Sequence, residues 1–175
     1  YLNKKGTWLF CLGLNPSQTF NELVDSTNLK LCNYFISNLI NEKKVKGYTL
    51  LNFSNVAKTK SADLDADDFD KNHMRYINYA LKLILKKKFN EVIFFYGRDK
   101  KNRKLINEIT NDDFRSTVLK LIENEQLYIT INTRELNENG EPNADFNLFT
   151  HPGHSGMGNY LGIRLATKED LEDLF

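Results

Sequence analysis

Two rhythms of apolar residues alternate along this chain. Short, nearly unbroken apolar runs recur, and between them lie longer stretches in which apolar positions return every three or four residues. The first rhythm predicts strands buried on both faces, and the second predicts amphipathic helices. Trp8 to Leu14 (WLFCLGL) reads as a buried strand closed by Asn15-Pro16-Ser17. Thr27 to Ile40 carries Leu29, Cys32, Tyr34, Phe35, Ile36, Leu39 and Ile40 near a 3.6-residue period, with Ser26 or Thr27 available as a cap. Tyr48 to Phe53 is a second strand. Asp70 to Lys87 is helical, with Ile77, Ala80, Leu81 and Ile84 on one stripe. Glu91 to Tyr96 is a third strand, ended by Gly97. Asp99 to Glu125 forms one or two polar helices, Gln126 to Thr133 a fourth strand, and Thr167 to Leu174 a closing helix. Between the last two, Asn139-Gly140-Glu141-Pro142 is a turn signal.

Strands alternating with helices predict an α/β fold with a mostly parallel, four-stranded sheet in three αβα layers. With three prolines, no repeat and no linker composition, residues 1–175 are expected to form a single domain. Ligand sites in such sheets lie beyond the carboxyl ends of the strands. That rule predicts that Asn15, Asn52 with Phe53, and Gly97 converge on one crevice, since each ends or follows a strand.

Composition narrows the class. Apolar residues at 41% and charged residues at 27% fit a soluble globular chain, expected in the cytoplasm and monomeric. No apolar run approaches the roughly 20 residues of a membrane helix. The chain opens on Tyr1 rather than Met, as a trimmed chain would. Cys11 and Cys32 both sit in apolar patterns and read as reduced core thiols. Two cysteines cannot supply a four-cysteine iron–sulfur or zinc site. Net charge is +1, yet Lys86, Lys87, Lys88, Arg98, Lys100, Lys101, Arg103 and Lys104 cluster, as do Asp63, Asp65, Asp67, Asp68 and Asp70. A basic cluster can follow a phosphate backbone, although a solvated helix face is the more ordinary reading.

Three segments carry chemistry. In Gly13-Leu14-Asn15-Pro16-Ser17, Gly13 lets a neighbour approach the backbone, Pro16 stiffens the exit, and the Asn15 amide can orient a water. A plain strand-to-turn junction has the same look. Asn52 ends an apolar strand, where its acceptor and two donors need partners. A uracil edge would supply them, as would an ordinary turn. His151-Pro152-Gly153-His154-Ser155-Gly156-Met157-Gly158 is a small-residue loop able to approach phosphates. Its rivals are a simple surface loop and a zinc site. Zinc would need further ligands such as Asp145 and His73, which the spacing does not support.

In order and placement, these segments resemble the motifs of the uracil-DNA glycosylase superfamily. Gly13-Leu14-Asn15-Pro16 resembles its first motif in the Asn-bearing form of the mismatch-specific branch. Leu50-Leu51-Asn52 resembles the strand whose Asn reads the base, Ile93 to Gly97 a later strand ending in an aromatic and Gly, and His151 to Ser155 the histidine-proline loop. The similarity runs from Leu9 to about Tyr160. It extends to a bacterial branch of unknown function that opens on Leu-Asn-Pro-Ser and has an Asn/Asp-Gly-x-Pro turn before the His-Pro.

The resemblance implies a glycosylase-like fold and hydrolysis of the bond between uracil and deoxyribose after the base is flipped from the stack. It gives Asn15 and His151 the catalytic roles, positioning water and stabilising the departing base anion. Asn52 and Phe20 bind the base. Pro16, Ser17, Gly97, Pro152, Gly153, His154 and Ser155 hold the DNA backbone, and Met157 is the intercalating residue. It implies no cofactor and no metal. The partners it implies are DNA bearing uracil or another modified base and a protein inhibitor that mimics DNA.

Departures from the family pattern leave rivals standing. Ser17 replaces the Tyr that screens out the thymine methyl, and Asn15 replaces a water-activating Asp. The alternatives are a glycosylase or hydrolase for another modified base or a free nucleoside or nucleotide, and a non-catalytic binding module of the same fold. A flavodoxin-like nucleotide binder with chance motif matches completes the set.

Overall fold

The computed structural model describes residues 6–14, 33, 44–57, 63–87, 90–95, 100–132 and 161–172. The predicted helix over Thr27–Ile40 lies outside them except for Asn33, which is helical and exposed.

The apolar runs form strands close to where the pattern puts them: β1 (Thr7–Gly13), β2 (Val45–Asn52), β3 (Asn90–Phe94) and β4 (Leu127–Asn132). β2 starts earlier than expected because Val45 and Gly47 pair with Thr7 and Trp8, with Lys46 at an irregularity between them. The polar stretch after β3 divides into α2 (Lys100–Ile109) and α3 (Asp112–Glu123), preceded by α1 (Lys71–Leu85). The division falls at Thr110-Asn111. The Asn111 side chain accepts from the Phe114 backbone N–H at 2.9 Å, a cap that starts a new helix. α3 ends through two backbone bonds, Gln126 N–H to Leu121 and Glu125 N–H to Ile122, with Glu125 at φ 55°. This is the left-handed ending that hands the chain sharply to β4.

One expectation is corrected. Among the described residues the sheet has five strands, in the order β2-β1-β3-β4-β5, where the pattern predicted four. β5 (Leu161–Leu165) runs antiparallel along β4. It is five residues long and contains Gly162 and Arg164, too short and mixed to stand out as an apolar run. The closing helix also starts later than predicted, at Glu169, and is described over Glu169–Glu172 (α4). Asp170, itself buried, holds these two elements together. It accepts from both terminal nitrogens of Arg164 and from the Thr167 backbone N–H, while its own N–H donates to Thr167 Oγ1. That reciprocal pattern is a capping box, here also paired with an arginine fork.

β1 to β4 are mutually parallel, and β1 sits between β2 and β3. The chain moves one way from β1 to β2, then returns past β1 to β3 and β4. That reversal makes the carboxyl ends of β1 and β3 the switch point where a ligand crevice opens. On one face of the sheet, Leu12, Phe94 and Ile129 pack with Met74, Ile77, Leu81 and Ile84 of α1, Ile106 of α2, and Phe114, Val118 and Leu121 of α3. Phe53 meets Phe94 and Phe114 edge-on, with ring centroids 6.2 and 6.1 Å away. Leu9, Cys11, Val45, Ile93, Phe95 and Tyr128 form the cluster on the other face. Cys11 is fully buried there. Among the described residues no helix is long and apolar enough to cross a membrane.

The acidic run acquires a local purpose. Asp65 caps a 3-10 turn over Ala66–Asp68 and Asp68 reaches back to the Asp65 N–H, while Asp70 caps α1 through the Asn72 N–H. Short carboxylates here satisfy backbone donors that the turn and helix starts leave open.

Candidate functional site

β1 and β2 leave the sheet side by side. Gly13 is in register with Asn52, and beyond them Phe53 N–H donates to the Gly13 carbonyl and Ser54 N–H to that of Leu14, at 3.0 and 2.8 Å. Ser54 is fully buried; its hydroxyl donates to the Asp68 carbonyl and accepts from the Val56 N–H. This fixes the turn that leads from β2 toward α1. On the other side of β1, Phe95 N–H donates to the Leu12 carbonyl at 3.0 Å, so β3 ends level with Gly13.

Gly13 therefore stands between Asn52 and Phe95. A methyl group placed on it would begin 2.8 Å from the Asn52 Oδ1 and 2.8 Å from the Phe95 Cε2. Only a residue without a side chain lets the amide and the ring edge come together over the strand. The sequence pointed to close approach at Gly13, and here the neighbours are an amide and an aromatic ring. The Asn52 amide is half-buried and has no hydrogen-bond partner among the described residues. An amide in that position retains one acceptor and two donors for a planar ligand edge.

His73 adds a contact that the pattern did not reveal. It lies in the first turn of α1, half-buried, with Nε2 2.7 Å from the Asn52 backbone carbonyl. A carbonyl only accepts, so Nε2 carries the proton and the ring donates. The bond ties the start of α1 to the end of β2 and fixes the backbone from which the Asn52 amide projects. The sequence suggested His73 only as a zinc ligand, beside Asp145, which lies outside the described residues. Among the described residues no group of three or more His, Cys, Asp or Glu side chains is placed to hold a metal. The available signal for His73 was positional: a helix running back along a parallel sheet starts at the strands' carboxyl edge. Phe95 had no such signal, because an aromatic at the end of an apolar run looks like core.

Of the residues given catalytic, base-binding, backbone-holding or intercalating roles, Asn52 alone is described, and it stands at the predicted edge of the sheet. Asn15, Pro16, Ser17, Phe20, Gly97, His151, Pro152, Gly153, His154, Ser155 and Met157 lie outside the described residues, as does Cys32.

Residues 1–143 match the model of a family described as protein of unknown function (DUF1643). The chain belongs to the DUF1643 family. That match takes in β1 to β4 and α1 to α3, and β5 and α4 follow it. No curated protein and no solved structure matches this DUF1643 chain.

Proposed function

We propose that this DUF1643 protein is a DNA glycosylase of the uracil-DNA glycosylase type, with a three-layer αβα fold, that hydrolyses the bond between uracil and deoxyribose. The observation that supports the reading most is the Asn52 amide, half-buried and unpartnered among the described residues, gathered with the Phe95 ring over the bare backbone of Gly13 at the switch point of the sheet. A flipped uracil presents an acceptor and an adjacent N–H donor, the edge an asparagine amide matches. Nucleobase pockets combine such an edge reader with aromatic surface.

In this reading the base is extruded from the stack at a cost of a few kcal/mol and read by Asn52. His151 donates a hydrogen bond to the oxygen where charge develops as the bond to the sugar breaks. Asn15 positions the water that attacks the sugar carbon. His73 acts through Asn52 as a positioning residue, by holding its carbonyl. Phosphates lie against the backbone around Ser17, Gly97 and Gly153 to Ser155, which sets register without reading sequence. No cofactor enters any step.

The test is formation of alkali-labile abasic sites in a uracil-bearing oligonucleotide, with other modified bases and free deoxyuridine as parallel substrates. Wild type is expected to cleave at uracil, with His151→Ala and Asn52→Ala each slower by about 10²–10³-fold, the usual effect of losing one preorganised donor. Cleavage that survives both substitutions, or appears only with the free nucleoside, overturns the assignment.

A further inference from the structure

The face of α1 turned away from the sheet carries groups that the crevice does not use. α1 buries Met74, Ile77, Leu81 and Ile84, whereas Tyr76 is 74% exposed, Tyr79 63% and Leu83 43%. With Leu119 of α3 they are the large apolar side chains exposed among the described residues. All four therefore lie on the two helices that pack against one another over the sheet. Beside Tyr79 and Leu83, the groove between those helices is lined by Lys82, Lys86, Asp113 and Lys120. Lys82 is already bound to Asp113 at 2.6 Å. Lys86 and Lys87 have no carboxylate partner among the described residues, and Lys120 lies near Asp113 without an ion-pair contact to it. The patch thus combines two outward aromatic rings with unneutralised positive charge.

We propose that this α1–α3 face binds single-stranded nucleic acid, with bases stacked on Tyr76 and Tyr79 and phosphates held by Lys86, Lys87 and Lys120. The two tyrosines are three residues apart, a rise of about 4.5 Å on the same side of the helix, within reach of neighbouring bases on one strand. Exposed aromatic faces flanked by cations are how proteins hold single strands without reading their sequence. The composition favours this occupant over a protein. Interface cores between proteins are depleted in lysine, whereas Lys86, Lys87 and Lys120 complement a phosphate backbone. The most exposed apolar groups are also flat rings, not an aliphatic trough that would seat a partner helix. The basic run that looked like a solvated face thereby gains a partner at its first two positions. The surface is independent of the proposed glycosylase site. α1 starts at the carboxyl edge with His73 and carries Lys86 and Lys87 to the opposite edge, where β3 begins.

The experiment is fluorescence anisotropy with labelled oligodeoxyadenylate and oligoadenylate, neither of which contains uracil, over a salt series. Both are expected to bind if the shared backbone and ring chemistry suffices; a preference for one identifies the natural strand. Tyr76→Ser with Tyr79→Ser is expected to weaken binding at least about ten-fold through lost stacking and to leave the salt slope in place. Lys86→Gln with Lys87→Gln and Lys120→Gln is expected to lower the slope of log affinity against log salt by about two, near 0.7 per phosphate contact on a single strand. Unchanged thermal melts would show that these exposed substitutions leave the fold intact. Three results overturn the proposal: wild type binding neither strand, variants binding like wild type, or the tyrosine changes altering only self-association in sedimentation velocity, which would make the face a contact between copies of this chain.

Discussion

At Gly13 a single missing side chain decides the geometry of the carboxyl edge. The strand around it is packed: Leu12 and Leu14 are buried on one face and Cys11 on the other. Gly13→Ala would force the Asn52 amide and the Phe95 ring to retreat, and Phe95 is itself buried with little room to move. Overpacking of this kind costs about 1–3 kcal/mol. The expected outcome is a lower urea midpoint together with a displaced Asn52 side-chain amide signal in a nitrogen–proton correlation spectrum. An unchanged amide signal would mean that Gly13 is conformationally convenient rather than a spacer between amide and ring. The same scale explains the weight given to Asn52. An amide bonded to its own turn would be a structural residue; this one has no hydrogen-bond partner among the described residues, while His73 holds its backbone.

At the scale of elements, α1 and α3 are joined through Asp113. Its carboxylate accepts from Lys82 at 2.6 and 2.8 Å and from the Asn78 amide at 2.8 Å. The two partners differ in kind. Lys82 is partly exposed and can return to water, whereas Asn78 is buried and its amide oxygen already has no partner among the described residues. Asp113→Ala is therefore expected to destabilise the protein more than Lys82→Ala, because it strands a buried donor. The Lys82 hydrogen bond is the main reason that the Asp113 carboxyl is held below its ordinary value, with further help from the Lys82 charge and Asn78. A carboxylate depressed in the folded state stabilises at pH above its unfolded value, near 4, and that contribution fades as pH falls below it. Urea titrations at pH 7 and pH 3 check the sign: the gap between wild type and Asp113→Ala should narrow at pH 3. An equal gap at both pH values would remove ionisation from the account and leave only packing.

For the whole molecule, the family match and the fold end at different places. Residues 1–143 carry the match, yet the sheet is closed on one side by β5, whose five residues pair with Tyr128 to Asn132. Without β5, β4 would become an edge with Ile129 and Ile131 behind it, and open apolar edges invite pairing between chains. A chain ending after residue 143 is expected to melt at lower temperature and to elute partly as larger species in size-exclusion chromatography. Equal melting and a monomeric elution would show that β5 only decorates the sheet.

Much of this architecture was legible because burial on both faces leaves a simple mark. WLFCLGL, EVIFF and LYITI are apolar almost throughout, as central parallel strands must be, and α1 keeps its stripe of Ile77, Leu81 and Ile84. Such patterns are local: they depend on a residue's own polarity and its neighbours along the chain. β5 escaped because an antiparallel edge strand is half-covered, so its pattern is diluted by Gly162 and Arg164. The placement of Asn52 at the carboxyl edge followed from strand ends and the rule for doubly wound sheets. What surrounds it did not. Phe95 reads as core and His73 as an ordinary helix residue until three strands and a helix start are brought level. Phe95 meets Asn52 over Gly13 and His73 meets the Asn52 carbonyl, which joins positions far apart in sequence through register and packing distances that no one-dimensional pattern encodes. The chain's own order of polar and apolar residues determined which segments become strands and helices and which end faces the crevice. Only the tertiary structure decided that an amide, a ring and a histidine share that end, because contacts of about 3 Å are set by how elements pack.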